Sequence, residues 1–205
     1  MMLIDQFTPS TADKFWDGPV KVLLAGLVMA LVAPITLHVV EGIPITLQTL
    51  VILLLVILLG KWRGTAAVGL YLIMGALGLP VFAQGKAGVE HLIGLTSGFL
   101  WGFLVAAFVV GMLAERPWAR KWWGPWVLFF LGHGVILALG IVVMGLLKED
   151  LDWAALLNML WRGSLIKSLV GGLLVMLSNM LMQYLLKSEV EEVSDVEKEK
   201  AEMMR

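Results

Sequence analysis

Apolar residues run along this chain in long, nearly unbroken blocks, parted by short clusters of charge, proline or glycine. A helix that crosses a bilayer needs about 20 apolar residues, because each rises roughly 1.5 Å through a hydrocarbon layer roughly 30 Å thick. Six blocks qualify, at about 19–40, 43–60, 64–83, 94–114, 122–147 and 164–186. The pattern predicts an all-α, polytopic membrane protein of six transmembrane helices. It divides into an N-terminal segment (1–18), a helical membrane domain (19–187) and an acidic tail (188–205).

The first link is unusual. Pro34-Ile35-Thr36-Leu37 recurs as Pro44-Ile45-Thr46-Leu47 around Glu41-Gly42. Two prolines so close argue for a broken helix or an extended loop, with a plain turn as the alternative. Irregular backbone at membrane depth is tolerated where it lines a cavity, so a break here points to a binding site on the outer half.

Charge sets the orientation. Lys14, Lys21, Lys61, Arg63, Arg116, Arg120, Lys121 and Lys187 collect on one side of the spans, against Lys86, Lys148 and Arg162 on the other. The positive-inside rule then places both termini in the cytoplasm and the protein in the cell (inner) membrane. Trp62, Trp118, Trp122, Trp123, Trp126, Trp153 and Trp161 fall near span ends, as an interfacial belt does. The first nineteen residues carry three aspartates and no early basic region, so no cleaved leader is expected. After Leu186 the chain turns acidic and reads as a solvated, partly disordered tail.

Composition narrows the function. The chain is 60% hydrophobic and only 15% charged, with a net charge of −1. Nucleic acid is excluded as a partner, because no basic run could track phosphates. The absence of cysteine removes disulfides and thiolate chemistry. His38, His91 and His133 are too widely spaced to suggest a metal site, and no cofactor is implied. Gly60-Lys61 and Gly85-Lys86 lack the spacing and following hydroxyl of a phosphate loop, so ATP is hydrolysed elsewhere. An intramembrane hydrolase pairing Ser97 with His133 lacks an orienting acid.

Two polar stretches stand out on the outer side. Gln84-Gly85-Lys86-Ala87-Gly88 forms a glycine-rich loop whose backbone N–H groups and single ammonium suit an anion, and an idle flexible loop is the alternative. Gly163-Ser164-Leu165-Ile166-Lys167 opens the sixth block. A lysine within apolar sequence either snorkels or faces a partner. Ser164 and Lys167 fall on one helix face, and Ser164 also reads as the cap of a helix N-terminus there. Two lysines converging from separate elements imply a small organic acid as ligand. Gly26 and Ala30 form a small-residue face that serves either internal packing or docking to another membrane helix.

Three motifs, Ile43-Pro44-Ile45-Thr46-Leu47-Gln48-Thr49-Leu50, Gly75 to Ala83 (GALGLPVFA) and Gly94 to Phe103 (GLTSGFLWGF), occur in an order and spacing that resemble the BioY family. Members are biotin-specific substrate-capture (S) components of energy-coupling factor (ECF) transporters. The resemblance implies a six-helix fold that holds biotin near the outer face. Energy would come from a transmembrane coupling subunit and two cytoplasmic ATPases, with membrane lipid as the surroundings. The family's basic loop position falls on Lys86, and its late Gly-Asp-x-x-Lys motif falls on Gly163, Ser164 and Lys167. The lysines would meet the carboxylate, while Gln48, Gln84, Gly85 and Ser164 are candidates around the rest of the ligand. Gly26 and Ala30 resemble the docking surface for the coupling subunit. Serine in place of the family's aspartate leaves room for another small carboxylate, such as lipoate or a biotin precursor.

Overall fold

The computed structural model describes residues 14–40, 43–148 and 152–203. Expectations for the extreme N-terminus, for Glu41-Gly42 and for the C-terminal pair lie outside them. Helix α1 covers Lys14–Val32 and is followed by strands β1 (Thr36–Val40) and β2 (Ile43–Thr46). Helices α2 (Gln48–Ala76), the short α3 (Glu90–Ile93), α4 (Ser97–Ala114), α5 (Gly124–Leu147) and α6 (Trp153–Met203) complete the order. The windows Gln48–Ala76, Ser97–Ala114, Gly124–Leu147 and Leu160–Leu181 are long and apolar enough to cross a membrane, and Gly18–Val32 is a shorter apolar helix.

The repeated Pro-Ile-Thr-Leu stretch is an antiparallel ribbon, pairing Thr36 with Thr46 and Leu37 with Ile45. Among the described residues the fold is thus helical, with this short two-stranded ribbon between α1 and α2. Proline is tolerated in β2 because both strands of a two-stranded ribbon are edges. The first helix accordingly ends at Val32, well short of position 40.

Helix α2 is two helical limbs joined by a sharp break at Gly60, where it doubles back. Gly60 sits at φ 74°, ψ −168°, a conformation open essentially only to glycine. A Cβ placed on Gly64 would lie 3.0 Å from Val56 Cα, whereas a straight helix would part 56 and 64 by roughly 12 Å. Gln48 and Tyr71, 23 positions apart, are joined by a hydrogen bond of 2.7 Å. Residues 48–59 and 61–76 are thus two antiparallel limbs.

The turn at Gly60 is held from outside. The Lys61 backbone N–H donates to Glu115 Oε1 at 3.0 Å, which satisfies a donor the second limb leaves open. The Lys61 ammonium lies over the rings of Phe108 and Trp62, at 4.3 and 4.5 Å. Gly111 lets α4 press against this turn, because a Cβ there would come within 2.7 Å of Lys61 Cα. Met29, Ile52, Leu53, Val56, Val68, Phe103, Val110, Phe129 and Ile136 are fully or almost fully buried and form the core between α1, α2, α4 and α5.

Two expectations near the C-terminus are corrected. Helix α6 begins at Trp153, so Ser164 lies well inside it and is neither its cap nor close to its N-terminal partial charge. The helix also continues through the acidic stretch to Met203 instead of ending near 187. Glu, Lys and Met, in which this stretch is rich, are strong helix formers.

Candidate functional site

A partly enclosed cavity of about 260 Å³ opens at the end of the bundle opposite the Gly60 turn. This is close to the lower bound of about 300 Å³ typical for small-ligand sites. Three of its walls are helix faces at regular spacing: Phe99, Leu100 and Phe103 on α4, with Thr96 just ahead of its first turn; His133, Ile136 and Leu137 on α5; Leu160, Gly163, Ser164 and Lys167 on α6. Each set steps by three and four residues, so it forms a single stripe along its helix. Thr46 at the end of β2, with Gln48 and Thr49 at the start of α2, form the fourth wall. The loop carrying Phe82, Ala83 and Lys86, with His91 of α3, borders the cavity as well.

The loop is shaped by its backbone. Phe82 N–H donates to Lys86 O at 2.9 Å and Gly85 N–H donates back to Phe82 O at 3.0 Å. Gln84 and Gly85 adopt φ of 61° and 71° and Gly88 adopts 105°, left-handed conformations that glycine takes without strain. Gly88 N–H then donates to Gly75 O at 2.8 Å, anchoring the loop to the end of α2. The Phe82 ring lies on Gly75 and meets Tyr71 and His91 edge-on, at 5.8 and 6.1 Å between centroids.

Charge around the cavity is one-sided. Its only ions among the described lining residues are the ammonium groups of Lys86, exposed on the loop, and Lys167, half-buried on α6, and no carboxylate lines it. Lys167 has no ion pair with a described residue. Aromatic and aliphatic side chains provide most of the remaining wall, with the amide of Gln48 and the hydroxyls of Thr46, Thr49, Thr96 and Ser164 between them.

Of the residues singled out in the sequence, Gln48, Lys86, Ser164 and Lys167 come together around this one cavity, while Gln84 and Gly85 stay on the exposed loop outside its lining. Asn158 is exposed and accepts a hydrogen bond from the Trp161 indole. Gly26 is buried in α1 beneath Leu70 of α2, so its lack of a side chain serves packing within the chain, and Ala30 is partly buried beside it. His133 is bonded to Thr49, Ser168 and the Phe129 carbonyl, and Ser97 is not among its partners. That geometry removes the hydrolase pairing. Sequence reasoning missed Thr46, Thr49, Thr96 and Phe103, and it did not place His91 or His133 at a ligand cavity. The i, i+3, i+4, i+7 stripe from Thr96 to Phe103 was a signal that could have found two of them.

Comparison with known proteins adds lineage to this geometry. The sequence model of the BioY family matches residues 10–187. A biotin transporter BioY of Thermotoga maritima is 42% identical over 109 residues, which are 53% of this chain and 63% of that protein. One from Rhodobacter capsulatus is 46% identical over 94 residues, 46% of this chain and 50% of that protein. The chain thus aligns with about half to two-thirds of the length of these relatives. A crystal structure of the S-component for biotin from an ECF-type ABC transporter superposes with a TM-score of 0.61 over 87% of this chain and 95% of that one, at 21% identity. At that identity the likeness is one of fold.

Proposed function

This chain belongs to the BioY family, and from that premise we propose that it captures biotin in the cavity between Lys86 and Lys167 and serves as the substrate-binding component of an ECF-type transporter. The observation that carries the reading is the convergence of two ammonium groups, with no carboxylate among the described lining residues, on a mostly apolar pocket of small-molecule size. A flexible acid tail ending between Lys86 and Lys167 would gain charge-assisted hydrogen bonds, and the fused rings would lie against Phe82, Phe99 and Phe103. Ser164 and Gln48 are the polar groups available to a ureido function. No bond is made or broken; the task is binding and release.

In this reading the two limbs of α2 are separate crossings. With α1, α4, α5 and α6 they make six, and both termini lie in the cytoplasm of the cell membrane, on the side of Lys61, Arg63, Arg116, Arg120 and Lys121. A transmembrane coupling subunit and two ATPases supply the energy. Because Gly26 is engaged by α2, such a subunit would meet the outward side of α1, where Leu23, Leu27 and Leu31 are exposed.

Serine in place of the family's aspartate at position 164 favours one second reading, the same capture role for lipoate or a biotin precursor. Uptake of labelled biotin by cells that carry the chain with a coupling module separates the two. Biotin uptake that excess lipoate leaves intact supports the first reading. Uptake of lipoate with indifference to biotin supports the second.

A further inference from the structure

The Tyr71 hydroxyl sits between two groups that determine how the cavity is built. It lies 3.0 Å from the carbonyl of Val81, at the base of the loop that carries Lys86, and 2.7 Å from Nε2 of Gln48, in the adjoining wall. A carbonyl can only accept, so the single hydroxyl proton of Tyr71 goes to Val81. The tyrosine oxygen can then only accept from Gln48, and this fixes which end of the amide faces it: the nitrogen. Gln48 Oε1 consequently points away from Tyr71. It has no partner among the described residues, and it is not one of the sealed polar atoms, which are Thr36 Oγ1, Thr65 Oγ1 and Asn179 Oδ1. The open space beside Gln48 is the cavity.

We propose that Tyr71 is a positioning residue which locks the Gln48 amide with its oxygen toward the cavity, so that this wall receives an N–H donor of the ligand. Tyr71 itself is fully buried and does not line the cavity; it acts through Gln48. A free glutamine could present either end of its amide and would accept ligands with acceptors there as readily as ligands with donors. The relay removes that choice, which makes it a device for specificity.

This inference rests on the capture reading above, and the experiment separates the two. Biotin and a biotin methylated on both ureido nitrogens are titrated into the purified full chain as wild type, Tyr71→Phe, Gln48→Ala and the double variant. Tyr71→Phe is expected to weaken biotin about tenfold, the scale of one hydrogen bond to a group left unsatisfied. Gln48→Ala is expected to do the same and the double variant no more than either alone, as for residues acting in series. For the dimethylated ligand, Tyr71→Phe is expected to change nothing. Equal weakening of both ligands, or additive effects in the double variant, overturns the proposal. Should wild type bind neither ligand, the capture reading falls, and the relay is read from the 15N side-chain amide resonances of glutamine-labelled protein. The Gln48 signal, identified by its loss in Gln48→Ala, should shift and exchange faster with solvent in Tyr71→Phe; an unchanged signal overturns the relay.

Discussion

His133 Nε2 lies 3.2 Å from Thr49 Oγ1, a hydrogen bond across 84 positions that ties α5 to the first turn of α2 at the cavity wall. The other ring nitrogen, Nδ1, is 3.0 Å from the Phe129 carbonyl. That oxygen can only accept, so Nδ1 carries the proton and Nε2 receives the threonine hydroxyl. Ser168 Oγ, fully buried on α6, is 3.0 Å from the same Nδ1. One imidazole therefore joins three helices.

Its removal should be felt as lost stability before lost chemistry. His133→Ala leaves a void and takes a partner from the buried Ser168 hydroxyl and the part-buried Thr49 hydroxyl, which should cost about 3 kcal/mol. Thr49→Val deletes one hydrogen bond at nearly constant shape and should cost about 1 kcal/mol. Thermal unfolding in detergent checks the order, wild type above Thr49→Val above His133→Ala.

Glycines at the turn of α2 should be far less replaceable than glycine on an open helix face. Gly60→Ala forces a side chain into a glycine-only conformation, and Gly111→Ala drives a methyl into the Lys61 backbone, which cannot yield as a side chain tip would. Each should cost about 1–3 kcal/mol. Gly69→Ala meets nothing within 4 Å and should be neutral or stabilising by up to about 1 kcal/mol. The same unfolding assay distinguishes them, and equal losses at all three sites would contradict the hairpin geometry.

The two lysines should contribute unequally to binding. Lys167 is half-buried and Lys86 is exposed, so the attraction of Lys86 for a carboxylate is screened by salt far more strongly. Lys167→Ala should weaken the ligand about tenfold to a hundredfold at any ionic strength, on the scale of a charged hydrogen bond. Lys86→Ala should weaken it by less, and the difference should vanish in high salt. Binding isotherms at low and high salt give both numbers.

Ser164→Asp should tighten binding of a ureido ligand about tenfold, since an ionised acceptor makes the stronger hydrogen bond by about 1–2 kcal/mol. A dissociation constant that rises instead would place the ureido group elsewhere in the cavity.

How much of this was legible in the sequence depends on the kind of signal. The helix at Gly124–Leu147 was evident almost to the residue, because hydropathy alone defines a membrane crossing. The close repeat of Pro34 and Pro44 announced an irregular first link, but nothing in it said that the two copies would pair as strands. Ser164 and Lys167 shared a face as their spacing required; the start of their helix was misjudged because Asp152, Asn158 and Arg162 interrupt the apolar run ahead of Ser164, and yet the chain is helical from Trp153 onward. Gln48, Lys86 and Lys167 come from three distant stretches, and their convergence could be suggested only by chemistry. The Tyr71 relay left no trace at all, since neither residue is charged, closely spaced or unusual where it stands.

The most direct test of the account is calorimetric titration of the purified, biotin-depleted chain with biotin, beside Lys167→Ala. The account predicts tight one-to-one binding by wild type that Lys167→Ala weakens about tenfold to a hundredfold. Absence of binding by wild type, or binding that Lys167→Ala leaves intact, would contradict it.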